Sequence, residues 1–164
     1  MEKRILPIWA ALWPYLLVAV FLYIRLTPTE SSEPVSLVPV ICVGCILILA
    51  PILALTCLLW GMTSQIPSPA MLAKWCLAVK LAHIPFYLAV FLLFLVLPIF
   101  GTFFFVFDAM ALIVSGGFGI AAILRARKEG LFTTGRAILH AIAHCFFMAD
   151  VISAFLIWKR LRTN

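Results

Sequence analysis

Charged residues are scarce in this chain of 164 residues, which holds 12 Lys or Arg and 6 Asp or Glu, or 11% in all. Soluble domains carry about 25% charged and about 45–50% apolar residues, whereas this chain is 66% apolar. Its apolar runs are also longer than about 18 residues, the length that indicates a transmembrane helix. The composition therefore predicts an integral membrane protein and excludes secreted, disordered, coiled-coil and nucleic-acid-binding classes.

The chain also lacks the marks of a secreted protein. Its basic start, residues 1–4, precedes an apolar run without a small-residue cleavage site, which predicts an uncleaved first span. The five cysteines are odd in number and all lie inside apolar runs, so no disulfide framework is expected. The net charge of +6 comes from Lys and Arg placed mostly between and outside the apolar runs, where they report membrane orientation. The lipid bilayer is the expected partner, and nucleic acid is not.

Five segments are long enough to cross about 30 Å of hydrocarbon, which takes about 20 helical residues. They cover residues 5–24, 36–62, 71–97, 102–124 and 134–158. The sequence therefore predicts an all-α transmembrane helical bundle of five spans, forming one domain over residues 1–164.

The last segment leaves a second topology open. Five crossings from a cytoplasmic N-terminus put seven Lys and Arg inside and four outside, whereas a last segment that does not cross gives ten against one. The positive-inside rule favours the second count, and this segment also holds ionisable residues that are costly in lipid. Four spans plus an interfacial or re-entrant C-terminal helix are therefore the alternative to five.

Ionisable side chains inside the predicted spans indicate a site, because each is costly unless it contacts protein, water or a partner. Counting along five spans puts Asp108 and Asp150 in one layer, and Lys80, His83, His140 and His144 in a deeper one. We interpret these faces as a polar seam for a proton, a cation or a small ligand, alone or in a complex. Its residues are Lys80, His83, Tyr87, Asp108, Ser115 and Asp150.

The carboxylates of the polar seam allow two interpretations. Asp108 and Asp150 can share a proton if they lie together, which suits proton or cation handling. Alternatively, one of them pairs with Lys80 and holds the helices in register.

Two features predict how the helices pack. Ser115 and Gly119 have the small-xxx-small spacing that lets membrane helices approach closely. Pro85 lies two residues after His83, so the third span should kink there and free a backbone carbonyl.

His140 and His144 are one helical turn apart, the spacing that can place two imidazoles on one metal ion. With a third ligand they would form a metal site, or they could act as acid and base in a membrane enzyme. The alternative is a pair of hydrogen-bonded helix contacts. No particular cofactor is predicted.

Cys42 and Cys45 form a CxxC motif near the start of the second span. This placement resembles the quinone-linked thiol oxidases of the DsbB and vitamin K epoxide reductase type, and it implies thiol redox chemistry. Those families also use a second cysteine pair in an outer loop, and the predicted outer loops here hold no cysteine.

Residues 72–87, 119–130 and 144–153 resemble a group of uncharacterised small multi-pass membrane proteins of Gram-positive bacteria. The resemblance implies a bacterial cytoplasmic membrane and implies no activity. A homo-oligomer, or an assembly partner with no site of its own, fits the sequence equally well.

Overall fold

The computed structural model describes residues 5–26, 37–64, 67–96, 98–144 and 146–163, and every regular element in these ranges is an α-helix. The helices are α1 (Ile5–Leu26), α2 (Val38–Thr63), α3 (Pro69–Val96), α4 (Pro98–Lys128), α5 (Thr134–Ala143) and α6 (Phe147–Arg162). The all-α prediction is confirmed for this part of the chain. Residues 27–36, which hold most of the predicted connection between the first two spans, lie outside the described residues, as do the predicted end of the third span at residue 97 and Cys145.

Three helices are long and apolar enough to cross a membrane: α2, α3 and the part of α4 from Phe105 to Lys128. The helix α1 adds a shorter apolar stretch, Ile5–Val20. Large apolar side chains such as Ile48, Leu55 and Phe91 are more than half exposed on their outer faces. A soluble protein rarely exposes so much apolar surface, so these helices indicate association with a membrane.

The helix α4 lies at the centre and contacts all the other described helices. Small residues allow this, because the buried side of α4 carries Ala111, Ala121, Ala122 and Ala126. A Cβ added at Gly117 would lie 2.7 Å from the Ala54 carbonyl oxygen of α2. The backbones of α2 and α4 are therefore in direct contact, as small residues permit between membrane helices.

The helices α1 to α4 alternate in direction. The first half of α1 lies against the middle of α2, where Leu6 and Trp9 line a cavity with Leu49 and Leu53. The second half of α1 lies against the start of α2, where Tyr23 and Val38 line another cavity. At the other end of α4, the Arg125 guanidinium donates to the backbone carbonyls of the α2–α3 connection, including that of Ser64 at 2.9 Å. The start of α1, the end of α2, the start of α3 and the end of α4 therefore lie at one end of the bundle.

We call this end the basic end, because it holds most cations of the chain. The two C-terminal helices also contribute to it, as described below. Its described Lys and Arg residues are Lys74, Arg125, Arg127, Lys128, Arg136, Lys159, Arg160 and Arg162.

The prediction of one helix over residues 134–158 is wrong, because two helices occupy this segment. The chain leaves α5 at His144 and starts α6 at Phe147, and the two helices pack antiparallel, with His140 Nδ1 2.8 Å from Ser153 Oγ. The break lets His144 bond to Asp150, six residues on. Six residues turn a continuous helix by about 600°, which would leave these side chains on different faces.

The helices α5 and α6 form what we call the C-terminal hairpin, residues 134–162, which returns to the basic end. Near its start α6 meets the middle of α3, where Asp150 pairs with Lys80. Near its end, Trp158 and Arg162 line a cavity with Lys74 at the start of α3. The two helices are about 15 and 24 Å long at 1.5 Å per residue, so neither matches a full span of about 30 Å.

Adjacent glycines on α4 test its close contact with α2. Gly117→Ala should lower the free energy of unfolding by about 1–3 kcal/mol, because the new methyl group meets the Ala54 carbonyl. Gly116→Ala is the control, since a Cβ there has nothing within 4 Å and alanine favours the helix by about 1 kcal/mol. Thermal unfolding in detergent compares the two variants. Equal melting temperatures would contradict the contact.

Candidate functional site: a buried lysine, aspartate and histidine cluster

A buried ion pair joins α3 to the C-terminal hairpin. Lys80 and Asp150 are 0% and 1% exposed, and the ammonium group donates to Oδ2 of the carboxylate. Lys80 Nζ also donates to the hydroxyl of Ser115 on α4, at 3.1 Å. Three helices therefore meet at one ammonium group. Asp150 and Ser115 accept hydrogen bonds from two of its three N–H donors.

His144 completes the cluster from the tip of the hairpin. Its Nδ1 contacts Oδ1 of Asp150, and because an ionised carboxylate only accepts hydrogen bonds, Nδ1 is the donor. The Nε2 atom is therefore left as the basic nitrogen. It is buried and has no hydrogen-bond partner among the residues that the structure describes.

A notch over Gly119 of α4 receives this basic nitrogen. A Cβ at Gly119 would lie 2.6 Å from His144 Nε2 and 2.9 Å from Cys76 Sγ, so the imidazole and the thiol flank the same space. The Cys76 thiol donates to the Ser115 carbonyl at 3.4 Å. The small residue predicted here for helix packing thus makes room for a titratable side chain.

The electrostatics of the cluster depend on the charge of His144. Lys80 and Asp150 cancel each other, so the cluster is neutral while the imidazole is neutral. A proton on Nε2 would leave one uncompensated positive charge in a buried site, where charges cost several kcal/mol unless they are paired.

His83 serves a different purpose on the same helix. Its Nε2 donates to the Ala10 carbonyl of α1 at 2.9 Å, and that carbonyl has no helical donor because Pro14, four residues on, lacks an N–H. Tyr15 returns a hydrogen bond to the Ala82 carbonyl of α3, three residues before Pro85. Side chains on α1 and α3 thus donate to carbonyls of the other helix in the turn that precedes its proline.

Tyr87 and Asp108 lie farther from the basic end than the ion pair. The rings of His83 and Tyr87 are 5.9 Å apart in an edge-to-face arrangement. Asp108 is partly buried, and its Oδ1 has no hydrogen-bond partner within the described ranges. The predicted layer of two carboxylates is corrected, because α6 runs back toward the basic end and brings Asp150 to Lys80.

His140 and His144 do lie one turn apart, but α6 engages each differently. Ser153 Oγ is hydrogen-bonded to Nδ1 of His140, and Asp150 is hydrogen-bonded to Nδ1 of His144. The His140 ring also stacks on Phe132, at 5.7 Å between ring centroids. No group of three His, Cys, Asp or Glu side chains able to hold a metal is found within the described part of the chain. The metal site stays a prediction without a third ligand there.

The CxxC motif lies away from the cluster. Cys42 is partly buried and Cys45 is exposed, both thiols are free, and both line an apolar cavity of about 520 Å³ against the second half of α1. This cavity is at the end opposite the basic end. Redox chemistry at these thiols stays a prediction.

Sequence reasoning missed two members of the site. Cys76 lies four residues before Lys80, so it extends the helix face of Lys80, His83 and Tyr87 by one turn. This spacing is a sequence signal that could have identified it. Ser153 lies three residues after Asp150 and has no such signal, because its role depends on the hairpin. The structure joins Lys80, Ser115, His144 and Asp150 directly, and leaves His140, Cys42 and Cys45 outside the ion pair.

A model of a family of unknown function, DUF6652, matches residues 4–163. The chain belongs to this family. The match agrees with the expected uncharacterised group and carries no information on the organism or the activity. No curated protein and no solved structure matches the chain.

A double-mutant cycle tests the buried pair. Lys80→Met or Asp150→Leu alone should cost about 3–5 kcal/mol, because each leaves an unpaired charge in the interior. The double variant should lose less than the sum, with a coupling energy of about 1–3 kcal/mol. Unfolding in detergent measures all four proteins. Strictly additive losses would show that the two side chains do not interact.

Proposed function

We propose that this chain is a four-span membrane protein with a re-entrant C-terminal hairpin. The start of α1 and the end of α6 both face the cytoplasm. The basic end supports this orientation, since Lys and Arg are enriched on the cytoplasmic side. Arg25 lies at the far end of α1, away from the basic end, and Lys80 lies in the bundle interior. The proposed orientation puts residues 3 and 4 on the cytoplasmic side. This orientation therefore puts ten Lys and Arg residues on the cytoplasmic side and one on the other side, which is the count of the alternative topology.

The depth of the ion pair supports the same arrangement. Lys80 is eleven residues beyond Pro69, the first residue of α3, or about 16 Å along the helix. That depth is about half of a 30 Å hydrocarbon layer. The tip of the hairpin therefore reaches the middle of the bilayer, where irregular backbone is tolerated only if it is buried in protein or lines a cavity.

We infer that the cluster is a protonatable site for binding or transport of a proton or small ion. The observation that carries this proposal is the buried Nε2 of His144, a base without a described partner, held by the same carboxylate that holds Lys80. Buried ionisable groups in membrane proteins commonly mark ion pathways and proton relays. Protonation places Asp150 between two cations, the Lys80 ammonium and the imidazolium, which repel each other. The hairpin tip, which carries His144, is therefore the part that moves.

The proposed partner that the exposed apolar faces support is the lipid bilayer. A homo-oligomer or a partner in a membrane complex remains a separate proposal, as does the bacterial cytoplasmic membrane. An acid–base pair of His140 and His144 has less support, because Ser153 engages His140 and Asp150 engages His144. Redox function also has less support, because the CxxC thiols lie at the end opposite the basic end.

A dual reporter fused after the last residue tests the topology. We expect the cytoplasmic readout, because α6 ends beside Lys74 at the start of α3. A fusion placed within residues 97–101 should give the opposite readout and serves as the control. An extracytoplasmic C-terminus would contradict the re-entrant hairpin.

Proton flux into liposomes tests the site. Purified protein is reconstituted into liposomes that enclose a pH-sensitive dye. A potassium gradient with valinomycin then drives protons inward. We expect flux above that of protein-free liposomes and at least a tenfold loss in His144→Gln, because an amide can bond Asp150 but cannot take up a proton. Arg136→Gln, at an exposed cation of α5, is the control for reconstitution. Wild-type flux equal to the empty liposomes, or full flux in His144→Gln, would refute the proposal.

A further inference from the structure

A groove opens at the basic end between the start of α3 and the end of α6. Its volume is about 770 Å³, and its lining residues are Ala70, Met71, Lys74, Trp75, Trp158 and Arg162. The lining holds two cations and two tryptophans and no acidic side chain. None of these residues belongs to the buried cluster, so the groove is a separate feature of the molecule.

The two cations of the groove are available for an anion. Lys74 and Arg162 are exposed, and neither forms an ion pair within the part of the chain that the structure describes. Arg125, at the same end, is by contrast occupied by backbone carbonyls and lies 3.7 Å from Glu129. The two free cations give the groove a positive potential that an anionic group would neutralise.

The aromatic residues hold the groove in shape. Trp75 stacks on Trp60 at 5.5 Å between ring centroids, and its indole meets the Phe118 ring edge-on at 5.9 Å. The Arg162 guanidinium lies 5.5 Å from the centre of the Trp158 ring, a cation–π distance. Tryptophan is enriched where membrane headgroups meet hydrocarbon, which suits a groove at that level.

Exposed apolar side chains on α3 and α6, which we call the apolar track, follow the groove residues toward the middle of the bundle. Leu81 lies about two turns beyond Lys74 on α3, and Phe155 lies one turn before Trp158 on α6, in ring contact with it at 6.1 Å. Both are exposed, at 51% and 44%. A ligand with a charged head and a long apolar tail would contact the cations and the track together, whereas a small soluble anion would contact only the cations.

We propose that the groove binds the headgroup of an anionic phospholipid, with the phosphate between Lys74 and Arg162 and an acyl chain along Leu81 and Phe155. This inference rests on the proposed orientation, which places the basic end at the cytoplasmic headgroup layer. The lipid would tie the end of α6 to the start of α3. It would thereby hold the C-terminal hairpin at its outer end, as Lys80 and Asp150 hold it at its tip.

Native mass spectrometry of the purified full chain in detergent tests the site. Phosphatidylglycerol and phosphatidylcholine with the same acyl chains are added separately. We expect retention of phosphatidylglycerol on the wild type and a loss of about tenfold or more in Lys74→Gln/Arg162→Gln, because each cation near an anionic headgroup contributes strongly to binding. The matched control is Arg136→Gln/Lys159→Gln, which removes the same charge from exposed positions outside the groove and should retain the lipid.

Three results would overturn the proposal. The first is equal retention of the two lipids by the wild type, and the second is equal loss of phosphatidylglycerol in both double variants. The third is full displacement of phosphatidylglycerol by soluble glycerol phosphate at equal concentration. That displacement would indicate a site for a free phosphate compound. The topology reporter separates this failure from failure of the proposed function. A cytoplasmic C-terminus with no lipid preference removes only the lipid site, whereas an extracytoplasmic C-terminus removes the orientation on which both depend.

Discussion

The ion pair between Lys80 and Asp150 is the interaction on which the C-terminal half of the structure depends. Removing two charges from water costs several kcal/mol for each ion, and the pair is tolerable only when further hydrogen bonds satisfy it. Ser115 supplies one of these bonds to the ammonium group, and His144 supplies another to the carboxylate. The pair therefore does more to specify which surfaces meet than to stabilise the fold.

The direction of the C-terminal hairpin follows from that pairing. Asp150 lies in the first turn of α6, where a negative charge also interacts favourably with the positive end of the helix dipole. Once this turn is fixed against the middle of α3, the rest of α6 runs toward the basic end. Lys159, Arg160 and Arg162 then reach the level at which their charges can leave the apolar layer.

Backbone constraints prepare the site before any charge enters it. Pro14 removes the helical donor to the Ala10 carbonyl, and His83 Nε2 replaces it. The other ring nitrogen of His83, Nδ1, is buried without a hydrogen-bond partner among the described residues. Gly119 has the opposite effect, because the missing side chain admits His144 into contact with α4. One histidine is thus engaged at its Nε2 atom, whereas the other presents the same atom to the interior.

The sequence predicts the helices well where long apolar runs decide the matter. It predicts the shared face of Lys80, His83 and Tyr87 from spacing alone, and it includes the pairing of Lys80 with Asp150 as one of two alternatives. It fails between α5 and α6, because residues 134–158 have the length and hydropathy of one helix. The break is set by a tertiary contact, which helical periodicity does not record. The error in the depth of Asp150 has the same origin, since depth was counted along a helix running the other way.

A distance across the basic end tests the central claim most directly. Spin labels at Lys128, the last residue of α4, and Lys159 of α6 can be measured by pulsed electron resonance in a lipid nanodisc, using a variant without other reactive cysteines. The folded-back hairpin predicts a separation below about 25 Å, because both positions lie within a few helix diameters at one end. A continuous helix over residues 134–158 would be about 37 Å long, so a separation above about 35 Å would contradict the account.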